Sequence, residues 1–299
     1  MTGQIGRILA GLGMIVFVGA VVVGATGAFF SDTETSTGNT FAAGDIDLQI
    51  DNESYVVDYN IPQYPNPIGQ FVFSTSTSWT LTDLEAGVQK FFNFSDLKPG
   101  DIGEDTISIH VGSNNAWMCA AAQITDDSDQ DLTEPELADD LATSSFPGAG
   151  LGELDSNLNF AFWVDDGDNV FEPGQTSSGT PETIFLEGTL ADMGAAGQIT
   201  LADSLGSILG GTNPIPGDTT FYIGKAWCFG TSTPTGEPQD GFGNVKSPLG
   251  GTGFTCDGSG VNNAAQTDQV QGDMTFYAVQ SRNNPNFVCE EWANPLDEI

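Results

Sequence analysis

The segment Leu158-Asn159-Phe160-Ala161-Phe162-Trp163-Val164 decides the fold class of this 299-residue chain. Large apolar residues occupy every second position, which is the spacing of a β-strand that buries one face in a core. The same alternation occurs at residues 46–50 and 107–111, and the run from Met274 to Gln280 is apolar on both faces. These segments predict the buried strands of an antiparallel sheet.

Clusters of Gly, Pro, Asn and Asp separate the predicted strands, for example Pro62 to Gly69 and Thr212 to Gly217. Such clusters are typical of turns between short strands. We therefore predict an all-β fold, a jelly-roll-like or Greek-key antiparallel β-sandwich with long loops and a few short helices. The expected helices follow the capping box Thr133 to Glu136 and span Leu201 to Leu209.

The charge balance excludes several classes of partner. Six Lys and Arg stand against 41 Asp and Glu, which gives a formal net charge of −35. Such a chain repels phosphate backbones, so it is not expected to bind nucleic acid. Adhesion to anionic membranes through a basic patch is excluded for the same reason. Hydrophobic residues still make up 39% of the chain, which is enough for a large core.

The N-terminal 28 residues have the pattern of a targeting segment. Arg7 is their only charged side chain, and the stretch from Ile8 to Ala28 is apolar and ends in small residues. This pattern predicts a signal peptide that is cleaved between Ala28 and Phe29. A membrane anchor of about 20 apolar residues is the alternative. Both interpretations place the rest of the chain outside the cytoplasm.

Four cysteines follow the targeting segment, and an even count in an exported protein favours disulfides. Zinc binding is disfavoured because the chain has no C-x-x-C pair and only one histidine. Of the three possible connectivities we favour Cys228–Cys256, which closes the shorter loop, together with Cys119–Cys289.

Catalytic motifs are lacking in the sequence. The single histidine, His110, lies in an alternating strand, and the zinc-protease, nucleophile-elbow and phosphate-loop motifs do not occur. Paired carboxylates carry no information in a chain with 41 acidic residues. The sequence therefore predicts a protein that is not an enzyme.

One acidic segment resembles a calcium-binding loop. Asp165, Asp166, Asp168 and Glu172 follow the strand that ends at Val164. Carboxylates in a tight turn supply the hard oxygen ligands that Ca²⁺ prefers. The match is incomplete, because Asn169 stands where glycine is usual, and a solvated hairpin turn is the alternative. We therefore expect that the protein requires no cofactor. Calcium is the only ion for which the sequence suggests a binding site.

Three motifs follow one another between Ala28 and Asn115. Phe30-Ser31-Asp32 fits the pattern A-F-x-D, and residues 39–48 fit the pattern N-T-F-x-A-G-x-L-D-L. Asp96 to Asp101 fits the pattern D-L-K-P-G-D, which precedes a strand and an Asn-rich turn. In this order the motifs resemble those of the TasA/camelysin family. An insertion at about 52–82 and the four cysteines depart from the Gram-positive members.

The resemblance implies a jelly-roll sandwich that polymerises into fibres of a biofilm matrix or, as in archaeal bundling pili, into a pilus. It also implies donor-strand complementation, in which the N-terminal segment of one subunit joins the sheet of the next. The donor segment would be residues 29–44, with Phe29, Phe30, Ser31, Asp32 and Phe41 as its contact residues. An ordinary first strand is the alternative. Camelysin is described as a metalloprotease, but no zinc motif is available here to support that activity.

The expected organisation is therefore a signal peptide at 1–28, the donor segment at 29–44 and one elaborated sandwich domain at 45–299. We expect a secreted structural subunit at the cell surface or in the biofilm matrix. Its expected partners are further copies of itself, a signal peptidase of the SipW type, and matrix or anchoring proteins. A monomeric surface module that binds calcium or glycans is the alternative.

Overall fold

A computed structural model describes residues 31–36, 46–58, 69–85, 87–131, 133–140, 148–174, 181–239, 246–293 and 296. Within these residues the chain is built mainly from antiparallel strands. The strands, in chain order, are β1 (Ser31–Ser36), β2 (Leu48–Asp58), β3 (Gln70–Phe73), β4 (Trp79–Thr82), β5 (Ile102–Val111), β6 (Ala116–Asp129), β7 (Gly148–Ala149), β8 (Leu158–Asp165), β9 (Ile184–Thr189), β10 (Gln198–Ala202), β11 (Thr220–Phe229), β12 (Thr231–Pro234), β13 (Phe254–Asp257) and β14 (Gln269–Gln280). The α-helices are α1 (Leu154–Asn157) and α2 (Leu190–Ala196).

The strands form two large sheets and one ribbon. The five-stranded sheet has the order β1-β14-β6-β10, and β7 pairs with the end of β6. The seven-stranded sheet has the order β3-β2-β5-β11-β8-β9, and β4 also pairs with β2. The strands β12 and β13 form a separate two-stranded ribbon. The segment that the sequence marks as an insertion thus contributes strands to the edge of the larger sheet.

The main hydrophobic core combines residues from both sheets. Ile107 and Ile109 of β5 belong to the same buried cluster as Met118 of β6 and Phe276 of β14. The ring of Phe91, from the segment between β4 and β5, lies 6.0 Å from that of Phe276. The alternation read from the sequence therefore places one face of each sheet in the shared core.

The outer face of the seven-stranded sheet carries a second, smaller core. Trp163 of β8 packs with Phe171 and Phe254, and its ring centroid lies 5.7 and 5.2 Å from theirs. A Cβ atom on Gly224 would lie 2.1 Å from the Trp163 ring, so only glycine allows this ring to lie flat on β11. This second core covers the sheet beside the loop that begins at Asp165.

The prediction of an all-β, sandwich-like fold is confirmed. The helix predicted at Leu201 to Leu209 is wrong, because Leu201 and Ala202 belong to β10. Asp203 Oδ1 then accepts hydrogen bonds from the amides of Leu205 and Gly206, and this turn competes with helix formation. Instead, α2 forms eleven residues earlier, where Thr189 begins a capping box.

Candidate functional site

The strand β1 lies at the edge of the five-stranded sheet. It runs antiparallel to β14, with Ser31 opposite Val279 and Ser36 opposite Met274. The other side of β14 is paired with β6, so β1 covers the remaining edge of β14 over six residues. Without β1, this edge would present unpaired backbone N–H and C=O groups, which readily accept another strand.

Two of the predicted donor residues lie in β1. Ser31 and Asp32 are opposite Val279 and Ala278, so in the single chain this segment pairs with its own sheet. The predicted cleavage position between Ala28 and Phe29, and the predicted anchors Phe30 and Phe41, lie outside the described residues.

The strand that receives β1 is firmly anchored. Phe276 and Ala278 of β14 are 1% and 0% exposed and contribute to the main core. Between them, the Tyr277 ring stacks on Trp292 at a centroid distance of 5.1 Å. The edge of β14 is therefore held in a fixed position, which is a requirement for a strand-acceptor site.

The predicted calcium loop brings three carboxylates together. Asp165 is the last residue of β8, and Asp166 and Asp168 follow it in the turn. One carboxylate oxygen of each residue lies within 4.8 Å of those of the other two. Asn169 has a φ of 64°, so it adopts the left-handed conformation that glycine usually supplies in such loops.

Hydrogen bonds fix the first of these carboxylates. Asp165 Oδ1 accepts the indole N–H of Trp163 at 3.0 Å, and Oδ2 accepts the Gly167 amide at 3.0 Å and the Thr106 hydroxyl at 3.2 Å. Asp168 Oδ1 accepts the amide of Val170, whereas Oδ2 is buried and accepts no hydrogen bond from the part of the chain that the structure describes. Asp168 thus keeps one oxygen available for a ligand.

The electrostatics of the loop favour a bound cation or protonation. Burial, followed by the neighbouring charges of Asp165 and Asp166, raises the pKa of Asp168 to about 8. Burial also raises the pKa of Asp165 to about 6, although its hydrogen bonds oppose the shift. Fully buried Glu104 lies near both, and burial raises its pKa well above the usual range. Like charges this close together in a low-dielectric site are unfavourable unless a positive charge compensates them.

Glu172 and Glu182 frame the loop rather than join the three-carboxylate group. Glu172 is fully buried, and its Oε1 lies 2.5 Å from the ammonium group of Lys246. Glu182 accepts the amides of Asp166 and Glu172, one on each carboxylate oxygen, and so holds the two ends of the loop together. Burial raises the pKa of Glu182 to about 9. Glu182 could not be recognised from the sequence as part of this loop, because it lies ten residues beyond Glu172 and belongs to no local motif.

The four cysteines form the two disulfides that the sequence analysis favours. Cys119 is joined to Cys289, and Cys228 is joined to Cys256. The first bond ties the C-terminal segment to the middle strand of the five-stranded sheet. The second ties the β12–β13 ribbon to the seven-stranded sheet.

His110 lies in a cross-strand row on the outer face of the seven-stranded sheet. Its Nε2 is 3.3 Å from Asp51 Oδ2, and its Nδ1 is 3.2 Å from the Thr220 hydroxyl. The side chain is 31% exposed. His110, on β5, thus links its strand to β2 and β11 through side-chain contacts.

Among the described residues, no helix has the length and apolar character needed to cross a membrane. The apolar segment from Ile8 to Ala28 lies outside them.

Comparison with known proteins gives one family match. The family model described as camelysin metallo-endopeptidase matches residues 6–62. Comparisons with curated proteins and with solved structures give no significant match. The matched span contains the apolar N-terminal segment, β1, β2 and both N-terminal motifs, and the chain from residue 63 onward lies outside it. The resemblance of this chain to the TasA/camelysin family is thereby confirmed over residues 6–62.

Proposed function

We propose that this protein is a secreted structural subunit that polymerises into extracellular fibres by exchanging β1 between neighbouring chains. The observation that carries the proposal is the position of β1 as an edge strand that pairs only with β14 among the described strands. The family match over residues 6–62 supports a secreted protein of the TasA/camelysin type. The proposal includes no catalytic activity.

Exchange of β1 has a low energetic cost. A β1 strand from another chain would form the same backbone hydrogen bonds with β14 that the chain's own β1 forms. The link from β1 to β2 comprises residues 37–47 and joins the two large sheets. Eleven residues span at most about 40 Å when extended, a length with which β1 could reach a neighbouring subunit. Head-to-tail exchange need not close into a ring, so it leads to a filament.

The net charge of −35 is expected to influence assembly. Like charges on successive subunits repel each other, which keeps filaments dispersed. Salt screens this repulsion, so polymerisation should be faster at high than at very low ionic strength. Faster assembly at low salt would show that the charge has another role.

A SipW-type signal peptidase and matrix or anchoring proteins are the proposed partners.

Electron microscopy of the purified mature chain tests the proposal. The chain beginning at Phe29 should form filaments, and a chain lacking Phe29 to Phe41 should not. Glu34→Pro should also reduce filament formation, because Glu34 is opposite Phe276, whose backbone faces β1, and proline cannot donate to the ladder there. Glu34→Val is the matched control, since it removes the same charge but keeps the backbone donor in a residue that is favourable in strands. Normal filaments from the truncated chain would contradict the proposal.

Calcium binding at the loop of Asp165, Asp166 and Asp168 is a second proposed function, favoured by the convergence of their buried oxygens. It rests on the free Asp168 Oδ2, and it is compatible with either a fibre subunit or a monomeric module. CaCl₂ should raise the melting temperature of EDTA-treated protein. Asp168→Asn should reduce this shift, whereas Asp83→Asn, at an exposed position, should not. Equal shifts in the two variants would contradict it.

A further inference from the structure

The geometry points to a second calcium site, formed by Asp129, Glu136 and Asp268. We locate it beside the start of β8, whereas the acidic loop lies at the end of that strand. The eight residues of β8 separate the two by about 25 Å. The second site is independent of fibre formation and of the first calcium loop.

Three distant segments of the chain meet at this site. Asp129 ends β6, Glu136 begins a 3₁₀ turn, and Asp268 directly precedes β14. One carboxylate oxygen of each lies within 4.8 Å of those of the other two. Thr267 has a φ of 74° and donates its hydroxyl hydrogen bond to the Asp131 carbonyl at 2.6 Å, which fixes the backbone before Asp268.

The carboxylates are buried and only partly satisfied by the protein. Asp129 is 5% exposed and Glu136 is 1% exposed. Asp268 Oδ2 accepts the amides of Glu153 and Leu154 at 2.6 and 3.1 Å. In contrast, Asp268 Oδ1 and Asp129 Oδ1 are buried and accept no hydrogen bond from the described residues. Backbone amides therefore hold the Asp268 carboxylate in place, and one buried oxygen of each aspartate remains available to an ion.

No basic side chain compensates this charge within the described part of the chain. The ion pairs found there involve Lys98, His110, Lys225 and Lys246, all with acids outside this cluster. The surrounding groups are acidic as well. Glu153 lies beside the cluster, where the charges of Asp268 and Asp140 act on it. An uncompensated cluster of this kind is costly, and a divalent cation would relieve the cost.

The ligand chemistry selects calcium. The group contains carboxylate oxygens and neither histidine nor cysteine, so it suits a hard cation rather than zinc. A cavity of about 440 Å³ lies close to the cluster: none of the three carboxylates lines it, but its wall includes Glu153, whose amide donates to Asp268 Oδ2. Calcium takes about 6–8 oxygen ligands in flexible geometry, so water molecules would complete the coordination that the three carboxylates begin.

An ion at this site would join the end of β6 to the start of β14. The strand β14 is the one whose free edge receives β1. Calcium would bind the folded chain and not the separated segments, so it would stabilise this end of the sandwich.

Titration of the EDTA-treated mature protein with CaCl₂ tests the site. We expect two bound calcium ions, of which Asp168→Asn removes one and Glu136→Gln removes the other. Glu136→Gln should weaken binding at its site by at least about tenfold, because it removes a buried ligand charge. Glu134→Gln is the matched control, since Glu134 is exposed in the same turn. Equal affinities for Glu136→Gln and Glu134→Gln would overturn the proposal, as would a protein that loses all calcium binding with Asp168→Asn alone.

Melting temperatures measured in EDTA and in CaCl₂ distinguish a calcium ligand from a residue that only stabilises the fold. In EDTA, Glu136→Gln should raise the melting temperature, because it removes a buried repelling charge. In saturating CaCl₂, the same variant should melt below the unmodified protein. Should Glu136→Gln fail to fold, Asp129→Asn gives the same pair of comparisons. A melting temperature that falls in EDTA for both variants would contradict a metal site. An equal response to MgCl₂ would contradict the assignment to calcium.

Discussion

Lys225 Nζ lies 2.7 Å from Asp105 Oδ2 inside the main core, where the two side chains are 0% and 1% exposed. The two residues are directly opposite each other on β11 and β5. The ammonium group also lies 3.7 Å from the centre of the Phe92 ring, which adds a cation–π contact. A slip of one residue between the strands would separate the charges within the core, so the pair specifies the register of the seven-stranded sheet.

Replacement of Lys225 should therefore be severely destabilising. We expect Lys225→Met to lower the free energy of unfolding by about 3–5 kcal/mol, because it leaves the Asp105 carboxylate buried and unpaired. Lys98→Met is the matched control: Lys98 is also 2.7 Å from its partner, Asp96, but both side chains are exposed. The control should change stability by less than about 1 kcal/mol. Urea denaturation measures both, and similar losses would contradict the role of burial.

The two disulfides should contribute unequally to stability. Cys119–Cys289 spans 170 residues and Cys228–Cys256 spans 28, so the first restricts the unfolded chain more strongly. Chain-entropy arguments give about 5 and about 3.5 kcal/mol, respectively. Replacing Cys119 and Cys289 by alanine should therefore lower the urea midpoint more than replacing Cys228 and Cys256. The opposite order would indicate that local packing dominates.

The buried acids predict a pH dependence that calcium should suppress. The folded-state pKa values of Asp168 and Glu182, about 8 and about 9, lie above those of unfolded carboxyls, which are about 4. In EDTA, the folded chain then binds more protons than the unfolded chain, so stability should fall as pH rises from about 5 to about 9. Lys246, paired with Glu172, is the cation next to these groups and limits the effect.

Saturating CaCl₂ should flatten this dependence, because the ion replaces the protons. Urea denaturation at several pH values, with EDTA or with CaCl₂, gives both curves. Stability that increases with pH in EDTA would contradict the account, as would identical slopes in the two solutions.

The features that could be predicted from the sequence are those encoded within a few neighbouring residues. The alternation at residues 158–164 predicted β8, and Met274 to Gln280 predicted the second half of β14, because each strand buries its own apolar residues. The carboxylates of the acidic loop were found because they lie within four residues of each other. The helix prediction at Leu201 to Leu209 failed because Leu201 pairs with a distant strand, and tertiary pairing outweighed local propensity.

Two features that depend on tertiary contacts could not be predicted: the Lys225–Asp105 pair and the cluster of Asp129, Glu136 and Asp268. Nothing near Lys225 indicates that Asp105 is opposite it, because strand register follows from the whole sheet. Similarly, Asp129 and Asp268 come together only because β6 pairs with β14 in antiparallel register. Each of these acids looks like an ordinary surface residue in a chain with 41 of them.

Cross-linking between β1 and β14 tests the central claim most directly. Thr35 and Thr275 are opposite each other in the register, and the native cysteines within the described residues are all in disulfides. Opposed residues of antiparallel strands have Cα atoms about 4.5–5.5 Å apart, which suits a disulfide. In a chain carrying Thr35→Cys and Thr275→Cys, a disulfide within one chain shows that β1 pairs with its own β14. A disulfide between two chains shows that β1 pairs with the β14 of a neighbour.

The measurement is non-reducing gel electrophoresis of this variant, oxidised after filament assembly and, for comparison, as monomer. Strand exchange predicts a ladder of covalent multimers from filaments and a single cross-linked chain from monomers. Filaments that yield only single cross-linked chains would show that β1 stays on its own sheet, and they would contradict assembly by strand exchange.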